Sequence, residues 1–102
     1  MGLPFRRTKE DFLGFDWEDR NRDIHFDKHG IDFPIVGRID WSHVLKARDH
    51  RHGPTETRWV ALAYCPVLAR VLVVVYLKQH QIGRIISVRL ANAEEAALFH
   101  AR

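Results

Sequence analysis

Three runs rich in β-branched and aromatic residues, joined by short connections, constrain the fold of this chain more than any other feature. They are Arg58–Tyr64, Arg70–Leu77 and Arg84–Leu90, and each has the length and composition of a β-strand. The connections through Cys65-Pro66 and residues 79–83 are too short for a crossover but suit hairpins. The sequence therefore predicts an antiparallel meander.

Capping signals predict two helices before the strands. The segment Phe15–Gly30 is expected to be helical, with Asp16 as its N-cap and Gly30 as the residue that ends it. Asp32 repeats the start signal just before a proline, which predicts a second, short helix to about Ile39.

The remaining elements complete the predicted architecture. A short fourth strand is indicated at Val44–Arg48, and Asn92 is placed to cap a final helix with Glu94 and Glu95 in its first turn. The fold class is thus α+β: an antiparallel β-meander of three to four strands with two N-terminal helices and one C-terminal helix. We expect the helices on one face and the other face available.

The length of 102 residues favours one domain. Residues 1–14 mix charges with isolated apolar side chains and are interpreted as an N-terminal extension of a single domain, residues 15–102. No apolar run is long enough to cross a membrane, and Met1–Leu13 lacks the apolar core of a signal peptide. A cytoplasmic location without membrane attachment is expected.

The net charge of +3 is unevenly distributed. Residues 1–40 contain seven Lys and Arg against nine Asp and Glu, whereas residues 41–102 contain nine against four. The strand-rich half is therefore basic, which favours an anionic partner such as RNA or an acidic protein segment.

Cysteine and histidine provide little evidence for a disulfide or a metal site. Cys65 is the only cysteine, so it is interpreted as a buried small residue beside a hairpin. His50-x-His52, with His43 nearby, is the one pattern that suggests a metal, but no carboxylate at helical spacing completes it. We expect neither a metal nor a cofactor.

Several short motifs, taken in order, resemble the BrnT family of type II toxins. The similarity extends from about Phe15 to Phe99, and the Arg-Ile-Ile-Ser-x-Arg strand is its most specific part. The matching segments are Phe15-x-Trp17-Glu18, Lys28-His29-Gly30-Ile31-x-Phe33, Arg58-Trp59-Val60-Ala61, Val75-Tyr76, Arg84-Ile85-Ile86-Ser87-x-Arg89-x-Ala91 and Glu95.

This resemblance implies a RelE-like ribonuclease fold, a toxin that cuts RNA and halts translation, and a BrnA-type antitoxin that binds the toxin tightly. DNA would be contacted only through the antitoxin. The implied catalytic residues are Arg58, Arg84, Arg89 and Glu95, and the implied substrate-binding residues are Lys28, His29 and Tyr76.

Arginine suits the chemistry that such a toxin requires. Metal-independent RNA cleavage uses the ribose 2′-OH as nucleophile, and a planar guanidinium donates paired hydrogen bonds to the charged phosphate. Arg84 and Arg89 differ in strand parity, so a regular strand would point them to opposite faces. Either a bulge or the strand end re-aims one of them, or only one serves the site.

The other site residues have alternative explanations. Lys28 and His29 suit the negative end of a helix without any chemistry, although His29 also has the properties of a general base. Glu95 fits a capping turn as well as it fits a base or a partner of Arg89. Tyr64 and Tyr76 suit base stacking, but a tyrosine in an apolar strand more often belongs to the core.

Departures from the family pattern keep two further functions open. Asn21 and His25 replace a lysine and an asparagine, and the last helix lacks the family's basic residues and carries Phe99 in place of a tyrosine. A catalytically inactive relative that binds an antitoxin, in a complex that represses its own operon, is one alternative. A small RNA-binding domain without catalysis is the other.

Overall fold

The computed structural model describes residues 2–51, 53 and 56–101. In this part of the chain, two α-helices and one 3-10 helix flank a six-stranded sheet with the order β1-β3-β4-β5-β6-β2. The strands are β1 (Arg6–Thr8), β2 (Gly14–Trp17), β3 (Val44–Asp49), β4 (Arg58–Cys65), β5 (Arg70–Gln79) and β6 (Ile82–Leu90), and the helices are α1 (Asp19–His29), the 3-10 helix (Phe33–Arg38) and α2 (Ala93–Ala101).

The α+β class and the meander are confirmed, because β3 to β6 pair antiparallel in chain order. The expectation of three to four strands with antiparallel pairing only was wrong. β2 pairs parallel with β6, and β1 pairs antiparallel with β3. Both edges of the meander are therefore covered by strands that precede the first helix.

The predicted helix Phe15–Gly30 begins later than expected. Phe15 and Trp17 are strand residues whose rings pack into the core, and Asp16 is not a cap. The N-cap is Glu18, whose side chain makes no capping hydrogen bond. The predicted end is confirmed, since Gly30 has a φ of 70°.

The second predicted helix exists, with a different geometry. Asp32 caps it as expected by accepting a hydrogen bond of 2.9 Å from the backbone N–H of Phe33. Its six residues form a 3-10 helix, which is common for short helical elements. The region preceding the meander therefore contains one α-helix and one 3-10 helix in place of two α-helices.

Helical elements cover both faces of the sheet, which corrects the expectation that they share one face. The 3-10 helix packs through Phe33 and Val36 on one side, which we call the 3-10 face. On the other side, the α2 face, Phe5 and Phe99 cover strand residues such as Leu62. α1 has no buried residue and lies along β6, so it borders the sheet without forming the core.

The residues interpreted as an N-terminal extension take part in the sheet. They contribute β1 and the first residue of β2, and Phe5 is buried in the core of the α2 face. The division of the chain into residues 1–14 and a domain of residues 15–102 stays a prediction. Cys65 is fully buried at the end of β4, as expected.

Glu10 fastens this N-terminal segment to the 3-10 face. Its side chain is 1% exposed and accepts hydrogen bonds from the Tyr76 hydroxyl at 2.5 Å and from Lys78 at 2.8 Å, with the Lys46 ammonium at 3.1 Å. Burial alone would raise the pKa of Glu10, but the hydrogen bonds from Lys78, Tyr76 and Lys46 together lower it. Glu10 is therefore an ionised, fully bonded carboxylate inside the fold.

Replacing Glu10 by alanine is expected to lower the free energy of unfolding by about 2 kcal/mol, since the buried hydroxyl of Tyr76 then loses its acceptor. Urea denaturation at pH 7 measures the change. The control is Asp11→Ala, next in sequence, whose 3.9 Å pair with Lys9 is exposed; it should change stability by less than about 0.5 kcal/mol. Equal effects of the two substitutions would contradict this role.

The same carboxylate predicts a pH dependence. A group whose pKa is lower in the folded state stabilises the fold fully above its unfolded pKa, and this stabilisation is lost as the pH falls through the folded value. The wild-type free energy of unfolding should therefore decline as the pH falls below about 4.5, the ordinary value for Glu10. Glu10→Ala should show a smaller decline over the same range.

Candidate functional site

A groove on the α2 face contains two of the three arginines that the sequence singles out. It has a volume of about 590 Å³ and lies over β4, β5 and β6, with α1 as one wall. We call it the arginine groove. Its lining residues are Asn21, His25, Asp49, Arg51, Arg58, Val60, Val73, Val75, Ile86, Ser87 and Arg89.

A β-bulge in β6 determines which side chains reach this face. Val75 pairs with Ser87 but Tyr76 pairs with Ile85, so Ile86 is an extra residue in the strand. The side-chain amide of Asn21 donates a 2.8 Å hydrogen bond to the Ile86 carbonyl and thereby fixes the bulge to α1. The sequence left a bulge as one of three options for the strand, and the structure contains it.

The bulge places Arg84 and Arg89 on one face of the sheet despite their different parity. Arg84 pairs with Leu77 and Arg89 with Val73, and both of these β5 residues point to the α2 face. The two arginines nevertheless occupy different depressions. Arg84 lies 3.4 Å from Asp16 and lines a neighbouring pocket, which shares Asn21 and Ile86 with the arginine groove.

Arg89 is held rigidly by Glu95. Two hydrogen bonds of 2.7 Å join Nη1 and Nη2 of Arg89 to the two carboxylate oxygens of Glu95, which is 2% exposed. Glu95 also exchanges hydrogen bonds with Asn92, accepting from its backbone N–H and donating its own to the Asn92 side chain. This capping box begins α2, so Glu95 both positions the arginine and caps the helix.

The chemistry of the pair follows from its geometry. The hydrogen bond from Arg89 is the main reason that the pKa of Glu95 is lowered, and the same bond raises the pKa of Arg89. Glu95 is therefore a poor proton acceptor at neutral pH. Arg89 keeps Nε–H and one Nη2–H, which form a second edge able to bind two oxygens of a phosphate.

Arg58 enters the groove from the start of β4. Its Nε donates to Glu56 at 3.1 Å and its side chain is 26% exposed, which leaves the terminal amino groups accessible to a ligand. Val60 and Val73, between Arg58 and Arg89, provide an apolar floor. The structure thus places Arg58 and Arg89 in one groove and Arg84 in the neighbouring pocket.

Lys28 and His29 lie in the last turn of α1, as their charges suggested. Lys28 is exposed, and neither residue lines the arginine groove. Burial lowers the pKa of His29, and the nearby His25, Lys28 and Arg89 lower it further, so His29 is neutral at pH 7. Its ring centroid is 5.7 Å from that of His25, which does line the groove.

Tyr76 does not lie in the arginine groove. It is fully buried on the 3-10 face with its hydroxyl bonded to Glu10, and burial raises its pKa far above the usual range. A base cannot stack on its ring in this structure. We therefore leave Tyr76 out of the candidate site, which corrects the substrate-binding role implied by the resemblance.

Comparison with known protein families assigns the chain to one of them. Residues 17–95 match the family described as ribonuclease toxin, BrnT, of type II toxin-antitoxin system. The chain belongs to the BrnT family. Such a family membership implies an antitoxin partner and an RNA target. Among curated proteins, none matches.

The BrnT match covers the whole arginine groove and leaves out the strand β1. Groove residues run from Asn21 to Arg89, inside residues 17–95, whereas Glu10 and Arg6–Thr8 precede the match. Neither of the two described α-helices has the length and apolar character needed to span a membrane.

Sequence reasoning missed five polar residues of the groove, Asn21, His25, Asp49, Arg51 and Ser87. Asn21 and His25 were noted only as departures from the BrnT pattern, and that was the available signal. Ser87 lies inside the Arg-Ile-Ile-Ser-x-Arg motif without having been assigned a role. Arg51 lies in the turn after β3 and is bound through Nε and Nη2 to Asp49, two residues earlier, a local contact that the sequence patterns did not indicate.

The described part of the chain contains no cluster of three or more potential metal ligands. The suggested His50-x-His52 pattern lies partly outside the described residues, because His52 is not among them. The expectation of no metal and no cofactor therefore stays a prediction. The side chains that can act on a substrate in this groove are guanidinium, imidazole and hydroxyl groups.

Substituting Glu95 by alanine should lower the free energy of unfolding by about 2 kcal/mol, because the capping box of α2 and the partner of Arg89 are lost together. Thermal and urea denaturation measure the change. The exposed neighbour Glu94 provides the matched control, Glu94→Ala, with little effect expected. A stability of Glu95→Ala equal to that of the control would show that the pair has no structural role.

Proposed function

We propose that this BrnT-family protein is a metal-independent endoribonuclease of the cytoplasm that inhibits translation by cutting RNA. A BrnA-type antitoxin neutralises it and provides the only contact with DNA. One observation carries the proposal: Arg58 and Arg89 line a single open groove with an apolar floor. Two guanidinium groups on one surface fit the doubled charge of a phosphate in its cleavage transition state.

Arg89 is assigned to the phosphate at the scissile linkage. The carboxylate of Glu95 occupies its Nη1–Nη2 edge, which leaves the Nε–Nη2 edge for two non-bridging phosphate oxygens. Arg58 is assigned to the same phosphate through its terminal amino groups. Because Glu95 holds Arg89 before substrate binds, little side-chain entropy is lost when the phosphate arrives.

His25 is assigned as the general base. Its Nδ1 lies 3.1 Å from the Asn21 carbonyl oxygen, and because a carbonyl only accepts hydrogen bonds, Nδ1 is the nitrogen that carries the proton. Nε2 is then the nitrogen assigned to take the proton from the ribose 2′-OH. The 2′-oxyanion attacks the adjacent phosphorus, the bond from phosphorus to the 5′-oxygen breaks, and the 5′-oxygen takes a proton from water, which gives a 5′-hydroxyl and a 2′,3′-cyclic phosphate.

Cleavage of a labelled RNA in EDTA is expected for the purified wild-type protein. Arg58→Ala and Arg89→Ala should each lower the cleavage rate by about 100-fold or more, because each removes charge stabilisation from the transition state. Arg70 is an exposed arginine at the start of β5, outside the arginine groove. Arg70→Ala removes one positive charge as well, and this variant should cleave RNA at the wild-type rate. Cleavage that needs a divalent metal would refute the mechanism.

His25→Ala is expected to lower the cleavage rate by about 100-fold while leaving RNA binding nearly unchanged, because the imidazole moves a proton rather than holding the phosphate. The comparison is His43→Ala, an exposed histidine that lies outside the groove. If His25→Ala cleaves as fast as that control, the base must be another group, and His29 is next in line.

A second candidate is an inactive BrnT-like module that binds an antitoxin in a complex that represses its own operon. The observation in its favour is the surface of α2, where Ala97, Leu98 and Ala101 line an apolar depression suited to a partner helix. Expression of the chain without an antitoxin separates the two. Growth arrest that Arg89→Ala abolishes supports the nuclease, whereas normal growth with stable antitoxin binding supports the module.

A further inference from the structure

A second groove lies at the edge of the sheet, where β3 extends beyond its neighbour. β1 pairs only with Val44–Lys46, so Ala47–Asp49 have no strand on their outer side in the described part of the chain. The resulting notch, which we call the edge groove, is lined by four cationic side chains and one indole. They are Arg6, Arg7, Lys46, Arg48 and Trp59.

The edge groove is electropositive, since no carboxylate of the described residues lines it. Arg6 is exposed, and Arg48 is exposed with the neutral Thr57 hydroxyl as its acceptor at 2.9 Å. The other two cations serve the fold as well. Lys46 pairs with Glu10, and Arg7 donates to the Phe99 carbonyl.

Trp59 supplies an aromatic surface among these charges. Its ring is half-buried, and the Lys46 ammonium lies 4.5 Å from its centroid. A cationic track beside an aromatic ring is the combination that binds single-stranded nucleic acid, whose backbone is charged and whose bases stack. Duplex DNA presents no free base to such a ring.

The edge groove and the arginine groove share no lining residue, and they lie on opposite sides of the end of the β3–β4 pair. Arg48 pairs with Trp59, and on the next rung Asp49 pairs with Arg58. Consecutive strand residues point to opposite faces, so Trp59 and Arg48 lie on the 3-10 face whereas Arg58 lies on the α2 face. An RNA strand held by Arg58 therefore reaches Trp59 only by passing around the open edge of β3 at Ala47–Asp49.

We propose that the edge groove is a second binding surface for the sugar-phosphate backbone of single-stranded RNA, at the open edge of β3. The inference rests on the proposed nuclease function for its choice of RNA. Arg6 and Arg7 precede the BrnT match at residues 17–95, whereas Lys46, Arg48 and Trp59 lie inside it, so the surface is only partly contained in the matched region.

The test measures fluorescence anisotropy of a labelled 2′-O-methyl RNA of about 12 nucleotides, which fills such sites and lacks the 2′-OH needed for cleavage. Arg6→Ala/Arg48→Ala should bind about 10-fold more weakly than wild type. The slope of log K against log salt should fall by about 1.4, the contribution of two phosphate contacts on a single strand.

Two further variants control for net charge and for folding. Arg38→Ala/Arg70→Ala removes two exposed arginines that lie outside both grooves and should keep the wild-type affinity and slope. Arg6→Lys/Arg48→Lys restores both charges and should recover the wild-type slope. An equal loss of RNA affinity in Arg38→Ala/Arg70→Ala would overturn the proposal, because removing any two arginines would then weaken RNA binding to the same extent.

Tryptophan fluorescence locates the bound RNA. Quenching of tryptophan fluorescence by the same oligonucleotide should disappear in Trp59→Phe and persist in Trp17→Phe. Trp17 belongs to β2, the edge strand on the other side of the sheet from β1. Quenching that persists in Trp59→Phe would place the RNA elsewhere and contradict the proposal. Tighter binding of duplex DNA than of the RNA would also contradict it.

The binding test can fail or succeed independently of the nuclease proposal, because its oligonucleotide is not cleaved. If wild type cuts no RNA but Arg6→Ala/Arg48→Ala still weakens binding, the edge groove stands and the nuclease proposal fails. If wild type cuts RNA and the double variant binds like wild type, the nuclease proposal stands and the edge groove fails.

Discussion

The paired hydrogen bonds between Arg89 and Glu95 are the interaction on which the candidate site depends. Glu95 is buried, caps α2 and fixes a guanidinium that would otherwise sample many rotamers. Because the carboxylate binds only one edge of the guanidinium, the arginine is held in one orientation and its other edge can still donate hydrogen bonds to a ligand. One carboxylate therefore links the stability of the last helix to the geometry of the groove.

The bulge at Ile86 has a similar double effect. It turns the second half of β6 so that Ser87 and Arg89 point to the α2 face, and its free carbonyl is bound by Asn21 of α1. The same contact holds α1 beside the groove, where His25 lines the wall. α1 buries no residue, so its position depends on such polar contacts more than on a hydrophobic face.

Local signals predicted much of the fold, and long-range contacts account for what they missed. The meander followed from β-branched runs with short connections, and Gly30, Asp32 and Asn92 act at helix ends as expected. β2 was mistaken for helix because four residues carry little periodicity, and each of its residues pairs with one that is 68 residues away in the sequence. The convergence of His25 with Arg58 and Arg89 needs the bulge and the α1 position, which no local pattern contains.

The central claim is that Arg58 and Arg89 bind the same phosphate in the arginine groove. A crystal structure with an uncleavable 2′-deoxy oligonucleotide tests it most directly. The account predicts one phosphate within hydrogen-bonding distance of both guanidinium groups, with the sugar on its 5′ side against His25. A bound oligonucleotide that leaves Arg58 and Arg89 both free of phosphate would contradict it.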